Sequence, residues 1–325
     1  MRLTALATAV ALFGIVLLGA PVQSAPRDVE ITGSILAVIG RQVGFLNLEA
    51  PRPSVLTNFP PPAFALDVAA PPRSTSAVVA VFAPYGGGSS ADTADLLNLD
   101  VNSGATSPLL GRSDAGESLT SPAWLPDGSA LLYQRQRLFV PPGGLGYEDP
   151  LASRLESIRP DGSGRKPLVF DAYQPAPAPD GQRVAFLRLF SQGTALMEAN
   201  VDGSAERTIL PASRFQDISY PRYAPTGDRL TFFVTTTYAR SRDLVFAPLL
   251  KHGTPWDLWL VQADGGGLRK LATLGADDPT ATWSPDGSQL FIYSGSGAWL
   301  LDPRTEALDR IAYVSGYGLT AWLAD

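Results

Sequence analysis

The sequence predicts an all-β fold, a six-bladed β-propeller of four-stranded antiparallel blades, with the ring closed by the C-terminal strand joining the N-terminal blade. Three observations carry this reading. A short phrase recurs: Ala123-Trp124-Leu125-Pro126-Asp127-Gly128, Pro177-Ala178-Pro179-Asp180-Gly181, Tyr223-Ala224-Pro225-Thr226-Gly227 and Trp283-Ser284-Pro285-Asp286-Gly287. Each copy is followed by a β-rich run: Ala130–Tyr133, Val184–Leu187, Leu230–Phe233 and Leu290–Tyr293. Further strands end in Asp-Gly at Asp161-Gly162, Asp202-Gly203 and Asp264-Gly265, a hairpin signal because glycine tolerates positive φ.

The elements follow in chain order. Arg2, the apolar run Leu3–Ala20 and the small residues before Ala25 read as a signal peptide over 1–24 with cleavage after Ser24. The alternative is an uncleaved anchor, since a run of about 18 apolar residues is at the lower limit of a membrane span. Either way the body, residues 31–325, is expected outside the cytoplasm, whether periplasmic, secreted or anchored. Blade 1 supplies only three strands of its own, Ser34–Ile39, Gln42–Leu48 and Pro53–Phe59. Its missing strand is Ala321-Trp322-Leu323-Ala324-Asp325, which echoes Ala123–Asp127. Blade 2 is a divergent copy over Phe64–Leu110 with its outer turn at Ser103-Gly104. Blades 3 to 5 follow the phrase closely, and blade 6 has its outer turn at Pro303-Arg304-Thr305. Closing the ring removes open sheet edges that would otherwise pair with other chains.

Composition narrows the function. The 31 glycines and 29 prolines, spread through turn positions, fit many short strands. A net charge of −6 argues against nucleic acid as a partner. Without cysteine there is no disulfide, thiolate metal site or cysteine nucleophile, and His252 is the sole histidine. No Gly-x-Ser-x-Gly elbow, Walker loop or dinucleotide fingerprint is present, so no catalytic residue is assigned. No cofactor and no metal is expected: Asp277-Asp278 and Glu148-Asp149 lack calcium-loop spacing. Asp127, Asp180 and Asp286 are explained by turn geometry.

Antiparallel blades put the Pro-Asp-Gly and Asp-Gly turns on one face. The opposite face carries the loops between second and third strands and the connections between blades. Three of those loops are long: Pro84–Ala94, Arg135–Arg154 and Thr235–Pro255. Long loops gathered on one face of a repeat fold mark a binding surface. Their aromatic and basic residues are the types that anchor interfaces. The candidates are Tyr85, Phe139, Tyr147, Tyr238, Arg240, Arg242, Phe246, Lys251, His252 and Trp256, the last as the aromatic anchor at the exit of the blade 5 loop. Trp124, Trp283 and Trp322 occupy the repeat's structural position, and Trp259 and Trp299 are expected in the core.

The repeat resembles the TolB-type propeller repeat, in which Pro-x-Trp-Ser-Pro-Asp-Gly opens each blade, and Trp283–Gly287 is the best match. The resemblance spans about residues 31–325 and implies architecture. TolB carries an additional α/β domain before its propeller, and the short stretch between signal and first strand here sets this chain apart from it. TolB binds a peptidoglycan-associated lipoprotein, so the resemblance implies partner binding. The expected function is a non-enzymatic platform in the cell envelope, binding an envelope or membrane-associated protein through the long-loop face. The alternatives are a carbohydrate- or cell-wall-binding module or degenerate glycan-active enzyme using paired channel carboxylates, and a structural subunit of a membrane complex if the N-terminal segment is uncleaved.

Overall fold

The computed structural model describes residues 33–48, 53–71, 74–83, 93–139, 147–235, 254–312 and 314–323. The segment read as an export signal lies outside them. The described residues form six four-stranded antiparallel sheets and no helix. Blade 1 contributes β1 (Ser34–Ile39), β2 (Gln42–Asn47) and β3 (Ser54–Val55). Blade 2 is β4 (Phe64–Ala69), β5 (Ser76–Phe82), β6 (Ala94–Asp100) and β7 (Thr106–Leu110). Blade 3 is β8 (Glu117–Trp124), β9 (Leu131–Phe139), β10 (Tyr147–Ile158) and β11 (Lys166–Phe170). Blade 4 is β12 (Tyr173–Pro177), β13 (Arg183–Phe190), β14 (Gly193–Asn200) and β15 (Arg207–Leu210). Blade 5 is β16 (Ile218–Tyr223), β17 (Arg229–Thr235), β18 (Pro255–Gln262) and β19 (Arg269–Asp277). Blade 6 is β20 (Thr280–Trp283), β21 (Leu290–Ser294), β22 (Gly297–Leu301) and β23 (Leu308–Ala312). The last strand, β24 (Ala321–Leu323), pairs with β1 and closes the ring, with Ala321 opposite Leu36 and Leu323 opposite Ser34.

Two elements differ from the sequence reading. The outer strand of blade 1 stops at Val55 instead of running to Phe59. The amides of Leu56 and Thr57 both turn to the Val43 carbonyl, at 2.8 and 3.2 Å. The Gln42 side chain then takes the amide and carbonyl of Phe59, at 2.7 and 3.0 Å, in place of a ladder. In blade 3 the stretch expected to be a loop, Arg135–Arg154, is mostly strand. β9 and β10 continue to Phe139 and back from Tyr147, whose Cα positions pair, because continued pairing satisfies the backbone groups of both arms.

The core lies between blades, not within them. Adjacent residues of a strand point to opposite faces of the sheet, and each face meets a neighbouring blade. In β17 Phe232 joins the cluster shared with blade 4, while Phe233 joins the one shared with blade 6. In β21 Leu290 and Ile292 face blade 5, and Phe291 and Tyr293 face blade 1. This two-sided burial is why second strands hold runs of successive apolar residues, such as Ala77–Val81 and Val184–Leu187. Trp283 is buried in the cluster between blades 5 and 6, and Trp124 and Trp322 pack at their equivalents, as the repeat position predicts.

The Pro-Asp-Gly phrase is a structural device. The Asp286 carboxylate accepts the Ser288 amide at 3.0 Å and the Ser284 hydroxyl at 2.6 Å, which fixes the turn. Gly287, at φ +72°, lies against Pro225 of the preceding blade, so each copy of the phrase seats the next one. The same carboxylate-to-amide bond recurs at Asp127–Ser129 and Asp180–Gln182, at 3.0 and 2.9 Å.

Candidate functional site

The ten residues selected from sequence do not all enter the described structure. Tyr85, Tyr238, Arg240, Arg242, Phe246, Lys251 and His252 lie outside the described residues. Phe139 and Tyr147 end the paired arms of β9 and β10, opposite one another in the ladder. Trp256 is corrected: it is 1 % exposed and is no surface anchor. β18 begins at Pro255, so Trp256 is already a strand residue, paired with Thr235. Period-two alternation then puts it with Leu258 in the cluster between blades 5 and 6. Trp259 takes the opposite face and is the more accessible of the two, set edge-on to Phe215 at 5.0 Å with Lys270 over its ring.

The face of the ring that bears the loops between second and third strands also carries exposed apolar side chains that the sequence reading missed. Phe170, Leu189 and Phe190 are 59, 40 and 45 % exposed. Phe170 ends β11, the outer strand of blade 3, and Leu189-Phe190 end β13, the second strand of blade 4. Arg188 joins the two blades. Its Nη2 donates to the Phe170 carbonyl at 3.0 Å and its Nε to the Asp171 carbonyl at 3.2 Å. Its Nη1 pairs with Glu206 at 2.6 Å. Phe190 lies two residues beyond Arg188 and so shares the sheet face turned to blade 3. Arg154 sits over the Phe170 ring at 5.9 Å while pairing with buried Glu156 at 2.6 Å. The patch is therefore held on strand ends by arginines that are already paired. Its sequence signal was available: after Arg188 the apolar residues of β13 resume at Leu189-Phe190, up to the Ser191-Gln192 turn and past the end of the buried core.

A second exposed aromatic sits farther round this face. Tyr317, on the connection from blade 6 to β24, donates to Asp277 Oδ2 at 2.8 Å. That bond, with some burial and the negative charges of Asp277 and Asp278, pushes its hydroxyl up to about 12. The Asp277 amide is also taken by Ser296 Oγ at 3.1 Å. Among the described residues no group of three or more His, Asp or Glu could hold a metal ion.

The six inner strands β4, β8, β12, β16, β20 and β24 surround the propeller axis. Two carboxylates of this ring are fully described. Asp67 on β4 accepts the Ser121 amide at 3.0 Å and the Leu319 amide at 2.9 Å, tying blades 1, 2 and 3 together. Burial still drives its carboxyl upward, against those bonds and the charge of Arg222. Glu117 on β8 accepts the Ser113 amide at 2.6 Å and pairs with Arg135. Asp67 sits on β4 of blade 2, and Arg222, whose charge acts on it, sits on β16 of blade 5. Ser121, Gln174 and Tyr220, each preceding a proline, adopt left-handed φ of +51, +52 and +51° at bulges of β8, β12 and β16. The bulges aim backbone amides at side chains of the preceding blade, as with Tyr220 N and Gln174 Oε1 at 2.6 Å.

No protein-family model and no curated protein matches the chain. Solved structures do. A nidogen/laminin complex aligns with a TM-score of 0.64 at 11 % identity, covering 89 % of this chain and 98 % of that one. A putative TolB from Agrobacterium tumefaciens aligns at 0.60 and 19 % identity, covering 80 % and 85 %. TolB from Acinetobacter baumannii aligns at 0.62 and 11 % identity, covering 90 % and 67 %. At these identities the likeness is one of fold: the chain is a six-bladed β-propeller similar in architecture to the TolB structures.

Proposed function

We propose that this chain is an exported, non-catalytic β-propeller of the cell envelope that binds another protein through the face bearing Phe170, Leu189 and Phe190. The observation that carries the reading is the exposure of these three large apolar side chains at strand ends on one face of the ring, Phe170 and Phe190 on the side of the seam between blades 3 and 4 and Leu189 on the side of blade 5. They project from strand ends fixed by Arg188 and Arg154, so little order has to be gained on binding. Aromatic residues on a rigid, polar-rimmed patch are the usual energetic centre of a protein contact. The export pattern of residues 1–24 and the architecture shared with TolB support the envelope setting.

The test is capture from envelope extracts with cross-linking, comparing the native protein with Phe170→Asp/Phe190→Asp. Exposed positions of this kind leave stability within about 0.5 kcal/mol each. Loss of two anchors weakens a partner by about 30-fold or more. Reproducible capture that survives the double substitution, or binding to a glycan array in place of protein capture, overturns the reading.

A further inference from the structure

Blades 4 and 5 carry the same group of side chains at the same ladder positions, with one exchange. In blade 4 Arg183 opens β13, Ala185 opposes Glu198 of β14, and Glu198 opposes Arg207 of β15. In blade 5 Arg229 opens β17, Thr231 opposes Leu260 of β18, and Leu260 opposes Arg269 of β19. Both groups lie on the sheet face turned to the following blade, which Leu187 and Leu196 share in blade 4 and Phe233 and Leu258 in blade 5. The last residue of the next inner strand completes each group: Arg183 sits over the Tyr223 ring at 5.8 Å, and Arg229 over the Trp283 ring at 5.6 Å. Leu260 thus stands where blade 4 has a carboxylate.

In blade 4 that carboxylate accepts from the whole group. Glu198 takes Arg183 Nη1 at 3.1 Å, Arg207 Nε at 2.7 Å and the Tyr223 hydroxyl. Blade 5 keeps the donors without this acceptor. Arg229 Nε is buried with no hydrogen-bond partner, and the carboxylate beside it, the exposed Asp228, stands 3.8 Å away. Trp283 Nε1 and Thr231 Oγ1, both on buried side chains, also have no hydrogen-bond partner. Arg269 pairs with Glu306, next to the outer turn of blade 6. A cavity of about 740 Å³ lies against this group, lined by Arg229, Leu260, Gln262 and Arg269 and by the exposed Asp228 and Asp264.

We propose that this cavity binds a carboxylate, held by Arg229 and Arg269 against Leu260, in the role that Glu198 plays in blade 4. A guanidinium offers five donors in a planar fork that matches a carboxylate edge on. Gln262, the ladder partner of Arg229, adds a side-chain amide to the lining. Leu260 adds apolar surface, which favours an acid carrying an aliphatic group over a bare ion. The charges of Asp228 and Asp264 repel a dianion more than a monoanion, which selects carboxylate over phosphate. The cavity reaches the Asp-Gly turn of blade 5, on the face opposite Phe170 and Phe190, so the inference does not rest on the protein contact proposed above.

The test is calorimetric titration of the full chain with isovalerate and N-acetyl-Ala-Ala-Leu, each beside its amide, and with inorganic phosphate. The expected result is binding of at least one acid, with its amide and phosphate at least about tenfold weaker. Tighter binding of the tripeptide makes a peptide C-terminus the source of the carboxylate; equal or tighter binding of isovalerate makes it a free aliphatic acid. Arg229→Met removes the charge at similar length and should weaken binding at least about tenfold, while Arg229→Lys keeps part of it. Leu260→Glu supplies the carboxylate from the chain itself and should abolish binding. Should either variant fail to fold, the Arg229 Nε–H resonance, identified by its loss in Arg229→Lys, should shift when the bound acid is added to the native protein. No binding of either acid, equal binding of acid and amide, tighter binding of phosphate, unchanged binding by folded Arg229→Met or Leu260→Glu, or an unmoved Arg229 resonance each overturns the proposal.

Discussion

Gly203 lies against the Leu168 carbonyl: a Cβ at residue 203 would approach that oxygen to 2.1 Å. The contact joins the Asp-Gly turn of blade 4 to the outer strand of blade 3. Equivalent turns press Gly104 on Leu56 O and Gly265 on Ile209 O, where a Cβ would come to 2.2 and 2.6 Å. The Asp-Gly pairs of the sequence therefore do two things. They permit the positive φ of the hairpin, +87° at Gly203, and they leave room for the neighbouring blade's backbone.

Replacing Gly203 with alanine should cost at least about 3 kcal/mol, because left-handed strain adds to a clash with backbone that cannot step aside. Gly40→Ala is the control. It has φ +55° but nothing within 4 Å of its Cβ, so it should cost only about 1 kcal/mol. Urea unfolding of the two variants checks this. Equal losses would mean that strain alone, not blade contact, fixes these glycines.

Trp256→Ala should destabilise the protein by about 3–5 kcal/mol, as expected for a large aromatic removed from a packed cluster. Trp256→Phe should cost less than about 1.5 kcal/mol, since it keeps most of the ring and drops an indole N–H that has no partner. Chemical denaturation decides between a core and a surface role, and a near-neutral alanine variant would return Trp256 to the surface.

Tyr317 makes stability depend on alkaline pH. Its hydroxyl ordinarily titrates near 10.0 and is pushed up to about 12 in the folded chain, chiefly by the hydrogen bond to Asp277. A folded-state value above the unfolded one means a contribution fully present below pH 10 and lost as pH rises toward 12. Denaturation midpoints of the native protein and Tyr317→Phe should therefore differ at pH 8 and converge by about pH 12. A constant gap across that range would show that the bond does not survive in solution.

Fold class, blade number and the closing strand were legible in the sequence. The Pro-Asp-Gly and Asp-Gly turns are local, and the echo of Ala123-Trp124 at Ala321-Trp322 fixed where the chain rejoins itself. Which face carries the loops between second and third strands followed from antiparallel alternation alone. Individual site residues did not. Trp256 read as a loop anchor because the start of β18 is set by pairing with Thr235, which no single segment encodes. Phe170 and Phe190 belong to different blades, which Arg188 bridges through the Phe170 carbonyl. The sequence by itself determined the repeat, since turns and period-two runs act over a few residues. The tertiary structure decided which side chains are buried, paired or left exposed, since those depend on how neighbouring blades stack around the axis.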